Sequence, residues 1–359
     1  MTLFAGPSSV NIAAVREVHC NQFRRVRPVG VATINDVAAK AGVSTATASR
    51  ALNGKSTVDP ALAARVLSAA AELGYQPNGP ARNLRRQETA VLALIISDVE
   101  NPFFTSIARG VEDVAQAVGY SVVLCNSDEN PEKERRYIDV AIQERVAGVV
   151  LSPTGTAPNV DLLTARRTPL VAVDRPLPAA ADMVLVDTRS AAKQATTHLI
   201  SQGYDRIGCI TGPAGIQTAD DRLAGYKDAL RASKRRTSAR FARRAEFRAD
   251  GAFEAAIDLL SQPDRPDALL VANSAMAVGV LEALSKLDLR LGADVGVVAF
   301  DDAPWASLVD PPLSVVSQPA YDIGKVAAQL LMARIADSSL PYTTTTLNAT
   351  LITRGSSTR

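Results

Sequence analysis

Ser44, Thr45, Ala46, Thr47, Ser49 and Arg50 sit at the start and on the outward side of one short helix, Thr45 to Leu52. They lie within the stretch TINDVAAKAGVSTATASRALN, from Thr33 to Asn53. Short side chains at such a helix start let the backbone approach a phosphate closely. A second group, Asp98, Ser152, Asp174, Asn273, Asp301 and Gln318, stands at the ends of apolar runs. That is where an open α/β sheet binds its ligand. Both groups offer hydrogen bonds and charge rather than bond-making chemistry. The chain has two histidines, neither beside a nucleophile motif, so no Ser/His/Asp arrangement is visible and His198 reads as an ordinary helix residue. Neither G-x-G-x-x-G nor G-x-x-x-x-G-K-[ST] occurs, and Cys20, Cys125 and Cys209 form no Cys-x-x-Cys pair. Nucleotide chemistry, a metal site and a disulfide framework are therefore not expected, and no cofactor is implied.

The first group is positioned by a helix, a glycine turn and a second helix. Thr33 caps the first helix with Asp36 in capping-box position, Ile34, Val37 and Ala38 supply its apolar face, and Gly42 breaks it. Ser44 caps the second, with Ala48 and Leu52 turned inward. Asp59-Pro60 opens a third helix, in which Leu62, Val66, Ala69 and Leu73 repeat at helical spacing before Gly74. Tyr75 to Arg86 is a Gly- and Pro-marked linker in which Asn78 caps one short helix with Pro80 in its first turn. At about eight residues that helix forms only when packed against something.

From Ala90 the pattern alternates between apolar runs and helices. AVLALIIS, a helix after Phe104, SVVLCNS, a helix after Glu132 and GVVLS are followed by PLVAVD, MVLVD, RIGCITG, DALLVAN, VGVVAFDD and LSVVSQ. Such alternation predicts parallel sheet covered on both faces.

The 359 residues allow two or three domains, and 47% hydrophobic content is enough to bury cores. The net charge of +2 is unevenly spread. Residues 1–88 carry 11 basic and five acidic groups, a net +6, leaving −4 for the rest. A basic module on a mildly acidic body suits a polyanion at one end. No run approaches the roughly 18 apolar residues of a membrane span, and no leader segment stands out, so a reducing cytoplasm is expected.

Residues 33–86 resemble the DNA-binding head and hinge of the lactose-repressor (LacI/GalR) family of bacterial transcription regulators. The resemblance rests on TINDVAAKAGVS, TASRALN, YQPN and ARNL in the family's order and spacing. It extends to residue 358 through NPFF (101–104), VDRP (173–176), DDRLAGY (220–226), VANSAMAVG (271–279) and FDD (300–302). It implies an all-α helix-turn-helix head and an α/β effector domain of two parallel-sheet subdomains, like a periplasmic sugar-binding protein. Thr45, Ala46 and Arg50 would face base edges, with Ser44, Thr47, Ser49, Asn53 and Thr57 nearer the phosphates. In the hinge, Asn78, Ala81 and Leu84 would meet DNA, Leu84 as a minor-groove wedge. Asp174, Arg222, Asn273, Asp301 and Gln318, with Ser152, would line an effector cleft, with Phe103, Phe104 and Phe247 as aromatic walls.

The implied organisation is an extension at 1–32, a head at 33–76, a hinge at 77–89 and an effector domain at 90–359. The first subdomain would hold 90–187 and 318–342, the second 188–317 and 343–359. The expected protein is a sugar-controlled repressor without enzymatic activity, cytoplasmic and nucleoid-associated, binding pseudo-palindromic operator DNA and a sugar-like effector. A homodimer is expected, because no leucine heptads follow Leu351.

Bland roles compete at each position. The strand-end carboxylates can cap turns, Phe103 and Phe104 can be core staples, and Arg222 can be a surface ion pair. A solute-binding module without DNA function and a sugar-processing enzyme are the competing classes. Three departures stand out: Thr188 and Ala191 replace the family's usual residues after Asp187, residues 1–32 match nothing and suggest an over-extended start, and residues 231–248 hold eight basic groups against Glu246 alone. That last segment is expected to be a solvated loop, with a phosphate contact as the alternative.

Overall fold

The computed structural model describes residues 32–52, 57–75, 89–155, 160–178, 180–234 and 239–359. The chain divides into two compact units, Met1–Arg82 and Asn83–Arg359.

The first unit contains helices α1 (Ile34–Ala41), α2 (Thr45–Leu52) and α3 (Pro60–Glu72). Thr33 and Asp36 complete the capping box, with the Thr33 amide donating to Asp36 Oδ2 at 2.8 Å. Gly42 ends α1 at φ 64°, a left-handed conformation that favours glycine. Asp59 caps α3 through bonds from the Ala61 and Leu62 amides. Val37, Ala38, Ala41, Ala48, Ala51, Val66, Ala69 and Ala70 form the small core. Ala51 fills the inward position of α2 beside Ala48, and Leu52 is only half-buried. A three-residue step from Ala48 meets both neighbouring helices more directly than a four-residue step.

The second unit holds two six-stranded sheets. The first, in order β11-β5-β4-β3-β1-β2, comprises β1 (Val91–Ile96), β2 (Ser121–Asn126), β3 (Gly148–Leu151), β4 (Leu170–Val173), β5 (Asp182–Val186) and β11 (Thr344–Leu347). The second, β12-β10-β9-β8-β6-β7, comprises β6 (Ile207–Thr211), β7 (Ala242–Arg244), β8 (Ala268–Val271), β9 (Gly296–Phe300), β10 (Ser314–Ser317) and β12 (Thr350–Ile352). All pairings are parallel except β10 with β12. The orders match strand for strand, so the unit is a structural repeat.

Strand alternation divides each core in two. In β1, Leu92, Leu94 and Ile96 pack with α4 (Pro102–Ala117) and α11 (Ala320–Ala336), while Ala93 and Ile95 face the side of α5 (Pro131–Gln143) and α6 (Asp161–Ala165). In β8, Leu269 and Val271 face α9 (Ala249–Leu260) and α10 (Ser274–Lys286), whereas Ala268 and Leu270 face α7 (Thr188–Ser201) and α8 (Gln217–Ala232). Helices α4 and α11 touch backbone to backbone: a Cβ on Gly110 would lie 2.1 Å from the Tyr321 carbonyl oxygen, and one on Gly324 2.0 Å from that of Ile107.

Several sequence expectations are corrected. Helix α4 opens at Pro102 and α5 at Pro131, not after Phe104 and Glu132, because Asn101 and Asn130 cap them. The chain passes to the second sheet after Val186, returns after Ser317 and crosses again between Leu347 and Thr350. The boundary at 342/343 was therefore too early: Thr344–Leu347 is a strand of the first sheet, paired with Met183–Val186. Asp187 caps α7 through the Ser190 amide at 3.0 Å, with Thr188 and Ala191 buried below it. The described part of the basic segment, 231–234 and 239–248, is not a solvated loop. It contains edge strand β7, whose Arg243 and Arg244 reach Asp258 at 2.6 Å and Asp220 at 2.5 Å. Arg240 pairs with Asp264, and Arg231 with Asp228. Asp258, Asp220 and Asp264 lie on or beside neighbouring helices, which the local sequence does not display, whereas Asp228 is three residues from Arg231 on α8.

Candidate functional site

In the head, Ser44 spends its hydroxyl on the cap. It accepts from the Thr47 amide at 3.1 Å and bonds Thr47 Oγ1 at 2.9 Å. Thr45 Oγ1 donates to Asn35 Oδ1 at 3.3 Å, which ties the start of α2 to α1. Thr45, Ala46, Arg50 and Thr57 are exposed, and Thr47 and Ser49 half-buried. The first turn of α2 carries no acidic residue, so its dipole end is open to an anion. Asn53, Asn78, Ala81 and Leu84 lie outside the described residues.

In the second unit, one cavity of about 20 Å³ between the strand ends of the two sheets is lined by residues of both. Phe103, Phe104, Asp174, Arg222, Phe247, Asn273, Asp301 and Gln318 meet there. Ser152 does not. It is fully buried and bonds Ser97 Oγ at 2.9 Å, so it braces the ends of β1 and β3.

Asp174 and Asp301 occupy equivalent places in the repeat, immediately after β4 and β9, and both have positive φ, 65° and 72°. Left-handed backbone at a non-glycine residue is costly and collects at functional sites. At Asp174 it closes a turn in which the Arg175 amide donates to the Val173 carbonyl at 2.7 Å. Simple alternation would send Arg175 to the opposite side; the turn brings it into the cavity beside Asp174. Arg175 forks onto Glu129 at 2.8 and 2.5 Å, donates to the Pro153 carbonyl at 3.0 Å, and lies 5.4 Å from the Phe247 ring centre.

Arg222 is no surface ion pair. It is buried, donates to the Ala272 carbonyl at 2.7 Å and stacks 4.4 Å over Phe300. Burial lowers its pKa, opposed by the charges of Asp301 and Asp174. Burial likewise pushes up the carboxyl groups of Asp174, against the pull of Arg175 and Arg222, and of Asp301, against Arg222 and the Gln318 bond at 2.7 Å. Asn273 lines the cavity and is held from two sides: its Oδ1 caps α10 by accepting from the Met276 amide at 2.7 Å, and its Nδ2 donates to the Phe247 carbonyl at 3.1 Å. Phe103 and Phe104 are also both things at once, edge-to-face core residues and cavity wall. Arg222 Nε and Gln318 Oε1 are buried without a hydrogen-bond partner.

Besides the approach of Arg175 to Phe247, two polar contacts join lobe to lobe at the cavity. Ser274 Oγ donates to Asn101 Oδ1 at 3.4 Å. Arg248, from the basic segment, pairs with Asp128 and lies 3.9 and 3.7 Å from Asp98 and Glu100. Asn101, Glu129, Arg175 and Thr218 line the cavity unanticipated. Arg175 was legible as the neighbour of Asp174 in VDRP; Glu129 and Thr218 carry no local signal.

A helix-turn-helix unit followed by two repeated α/β lobes around a polar, aromatic-walled cavity defines a ligand-controlled DNA-binding regulator. The profile described as "Bacterial regulatory proteins, lacI family" matches residues 33–78, and that of a "Periplasmic binding protein-like domain" matches 196–357. The "Ribose operon repressor" of Escherichia coli K12 is 36% identical over 329 residues, covering 91% of this chain and 100% of that protein. A crystal structure of a putative ribose operon repressor from Burkholderia thailandensis is 35% identical, with TM-score 0.68 over 74% of this chain and 99% of that one. The Lac repressor dimer bound to operator and the anti-inducer ONPF is 26% identical, with TM-score 0.82 over 92% and 100%. The chain belongs to the lacI family of bacterial regulatory proteins. It is a DNA-binding transcriptional repressor.

Proposed function

We propose that this repressor is controlled by a small neutral sugar, ribose or a close pentose relative, held between the two lobes. The observation that carries the reading is the set of buried polar atoms without a hydrogen-bond partner, Arg175 Nε, Arg222 Nε and Gln318 Oε1, at a cavity walled by Phe103, Phe104 and Phe247. A donor, an acceptor and strand-end carboxylates suit vicinal hydroxyls, which both give and accept, while aromatic faces suit the C–H side of a sugar ring. Four lining carboxylates, Asp98, Glu129, Asp174 and Asp301, face two arginines, Arg175 and Arg222. That excess disfavours phosphorylated or acidic sugars. A cavity of about 20 Å³ admits roughly one water, so the lobes part to admit the sugar and close over it.

The reading is tested by thermal shift with ribose, other pentoses, ribose 5-phosphate and nucleosides. Ribose is expected to raise the melting temperature and ribose 5-phosphate to leave it unchanged. A response to the phosphate alone, or to no pentose, overturns it.

The DNA-reading roles are proposed as the family resemblance implies them: Thr45, Ala46 and Arg50 at base edges, with Ser44, Thr47, Ser49, Asn53 and Thr57 near phosphates. The head spans 33–76 and the hinge 77–89, with Asn78, Ala81 and Leu84 at the minor groove. The protein works as a cytoplasmic homodimer, for which exposed apolar Val118, Val123 and Leu124, on and near edge strand β2, offer a surface. Leu84→Ala is expected to cost about 1–3 kcal/mol of operator binding with effector affinity intact. Anisotropy titration on operator and calorimetric titration of the sugar separate the two; equal losses count against a hinge role.

Arg248→Ala is expected to have a smaller effect, because its side chain is 39% exposed. Losing this contact should weaken sugar binding by less than about 1 kcal/mol, roughly two- to fivefold. The difference from wild type should vanish at high salt, and a salt-independent difference would assign Arg248 to direct sugar contact.

A further inference from the structure

We propose that the end of the first lobe where the chain enters it is a second DNA-contacting surface, built from Arg145, Arg166 and Arg167, which takes backbone phosphates of the duplex. Strands β4, β3 and β1 are adjacent and parallel, so the turns before them share one end of the sheet. Arg145 lies in the turn before β3, and Arg166 and Arg167 in the turn before β4. Thr89, the first described residue after the linker, is fastened to that end: its amide and its hydroxyl donate to the Arg145 carbonyl at 3.1 and 2.9 Å. The Val149 amide donates to the Pro169 carbonyl at 2.8 Å and ties the other two turns together. The linker sequence that precedes Thr89 carries Arg82, Arg85 and Arg86 against Glu88, so its charge is net positive.

Five arginines elsewhere in this unit are neutralised, Arg189, Arg243, Arg244, Arg290 and Arg354 each lying 2.5–2.9 Å from a carboxylate oxygen, while Arg135 and Arg136 on α5 are exposed and, among the described residues, unpaired with a carboxylate. Arg145, Arg166 and Arg167 are exposed, and among the described residues no carboxylate pairs with them. Glu144 is the acidic residue among the described positions of these turns. Arg145 and Arg167 also hold left-handed backbone, φ 51° and 53°, at the turns. Beside Arg167 runs a groove of about 310 Å³ lined by Thr164, Thr168, Arg334, Ser338 and Tyr342. Hydroxyls flanking an uncompensated guanidinium are the donor set that phosphate oxygens take. The charge of Arg334 is already used by Asp182 at 2.6 Å, which leaves Arg167 to attract the anion. The contact is independent of sequence and adds to affinity on operator and random duplex alike.

The test is the salt dependence of DNA binding by the full chain, measured by anisotropy between about 50 and 300 mM KCl. Each phosphate contact contributes about 0.9 to the slope of log affinity against log salt. The triple variant Arg145→Gln, Arg166→Gln, Arg167→Gln is expected to flatten that slope by at least about 1 and to weaken operator and random duplex binding equally, several-fold at low salt. The triple lysine variant should keep the wild-type slope, which separates charge from folding. Sugar-induced thermal shifts should be unchanged in both. A glutamine variant with the wild-type slope overturns the proposal, as does a lysine variant that loses as much as the glutamine one. A rim that takes only free phosphate gives the first of these results.

Discussion

Arg222→Ala is expected to weaken sugar binding by about 100- to 1,000-fold and to leave operator affinity without sugar at the wild-type level. The guanidinium is 4% exposed, held by the Ala272 carbonyl and the Phe300 ring, with Asp174 and Asp301 as its countercharges. Removing one member of a buried charge group costs about 3–5 kcal/mol, and each 1.4 kcal/mol is a factor of ten. Part of the loss falls on the unliganded fold, and its sign with pH is determined. Burial raises the Asp174 and Asp301 carboxyls above their unfolded values, and Arg222 opposes the rise. Without Arg222 they rise further, so the native state takes up protons more readily than the unfolded chain and gains stability as pH falls through the raised values. The variant should therefore be closer to wild type at pH 5 than at pH 8. Calorimetric titration and melting curves at the two pH values check this. Unchanged sugar affinity would remove Arg222 from the site, and a deficit that grows toward low pH would reject the electrostatic account.

Arg334→Ala is expected to cost about 3–5 kcal/mol of stability and to lower the melting temperature by roughly 10 °C. Arg334 and Asp182 are side chains only 7% and 3% exposed, joined at 2.6 and 3.1 Å. The same guanidinium donates to the Leu340 and Pro341 carbonyls at 2.8 and 3.1 Å, and Asp182 Oδ1 accepts from the Thr343 amide at 2.8 Å. The pair thus fastens the segment leading into β11 to the start of β5. Its loss leaves a buried carboxylate and two carbonyls without their donor, and frees the last strand of the first sheet. Scanning calorimetry measures the cost, and hydrogen exchange at Thr344–Leu347 locates it. A melting temperature within 2 °C or so of wild type would show that the pair does not hold this crossing.

The two variants mark different degrees of legibility. Arg222 stood out in the sequence through the family segment DDRLAGY, although its burial and its stacking on Phe300 did not. Arg334 gave no signal, because it lies on helix α11 while its partner Asp182, 152 residues away, begins strand β5. Ser152 was misplaced for a related reason. A polar residue at a strand end can turn toward the ligand or brace its neighbour, and Ser97 on the adjacent strand decided it.

What the amino-acid order alone determined was local or periodic. The capping box at Thr33, the glycine at 42, the Asp59-Pro60 start and the nine apolar strand runs of the two lobes follow from hydrogen bonds and side-chain spacing within a few residues. Short edge strands β7 and β12, the return of β11 to the first sheet, and the cavity partners Glu129, Arg175 and Thr218 were decided by tertiary structure. So was the conversion of a basic run into paired edge charges and an inter-lobe contact at Arg248. The physical reason is that an edge strand exists by virtue of its neighbour's hydrogen bonds, and a buried charge by virtue of a countercharge from a distant segment. Neither is a property of the residues on either side of it in the chain.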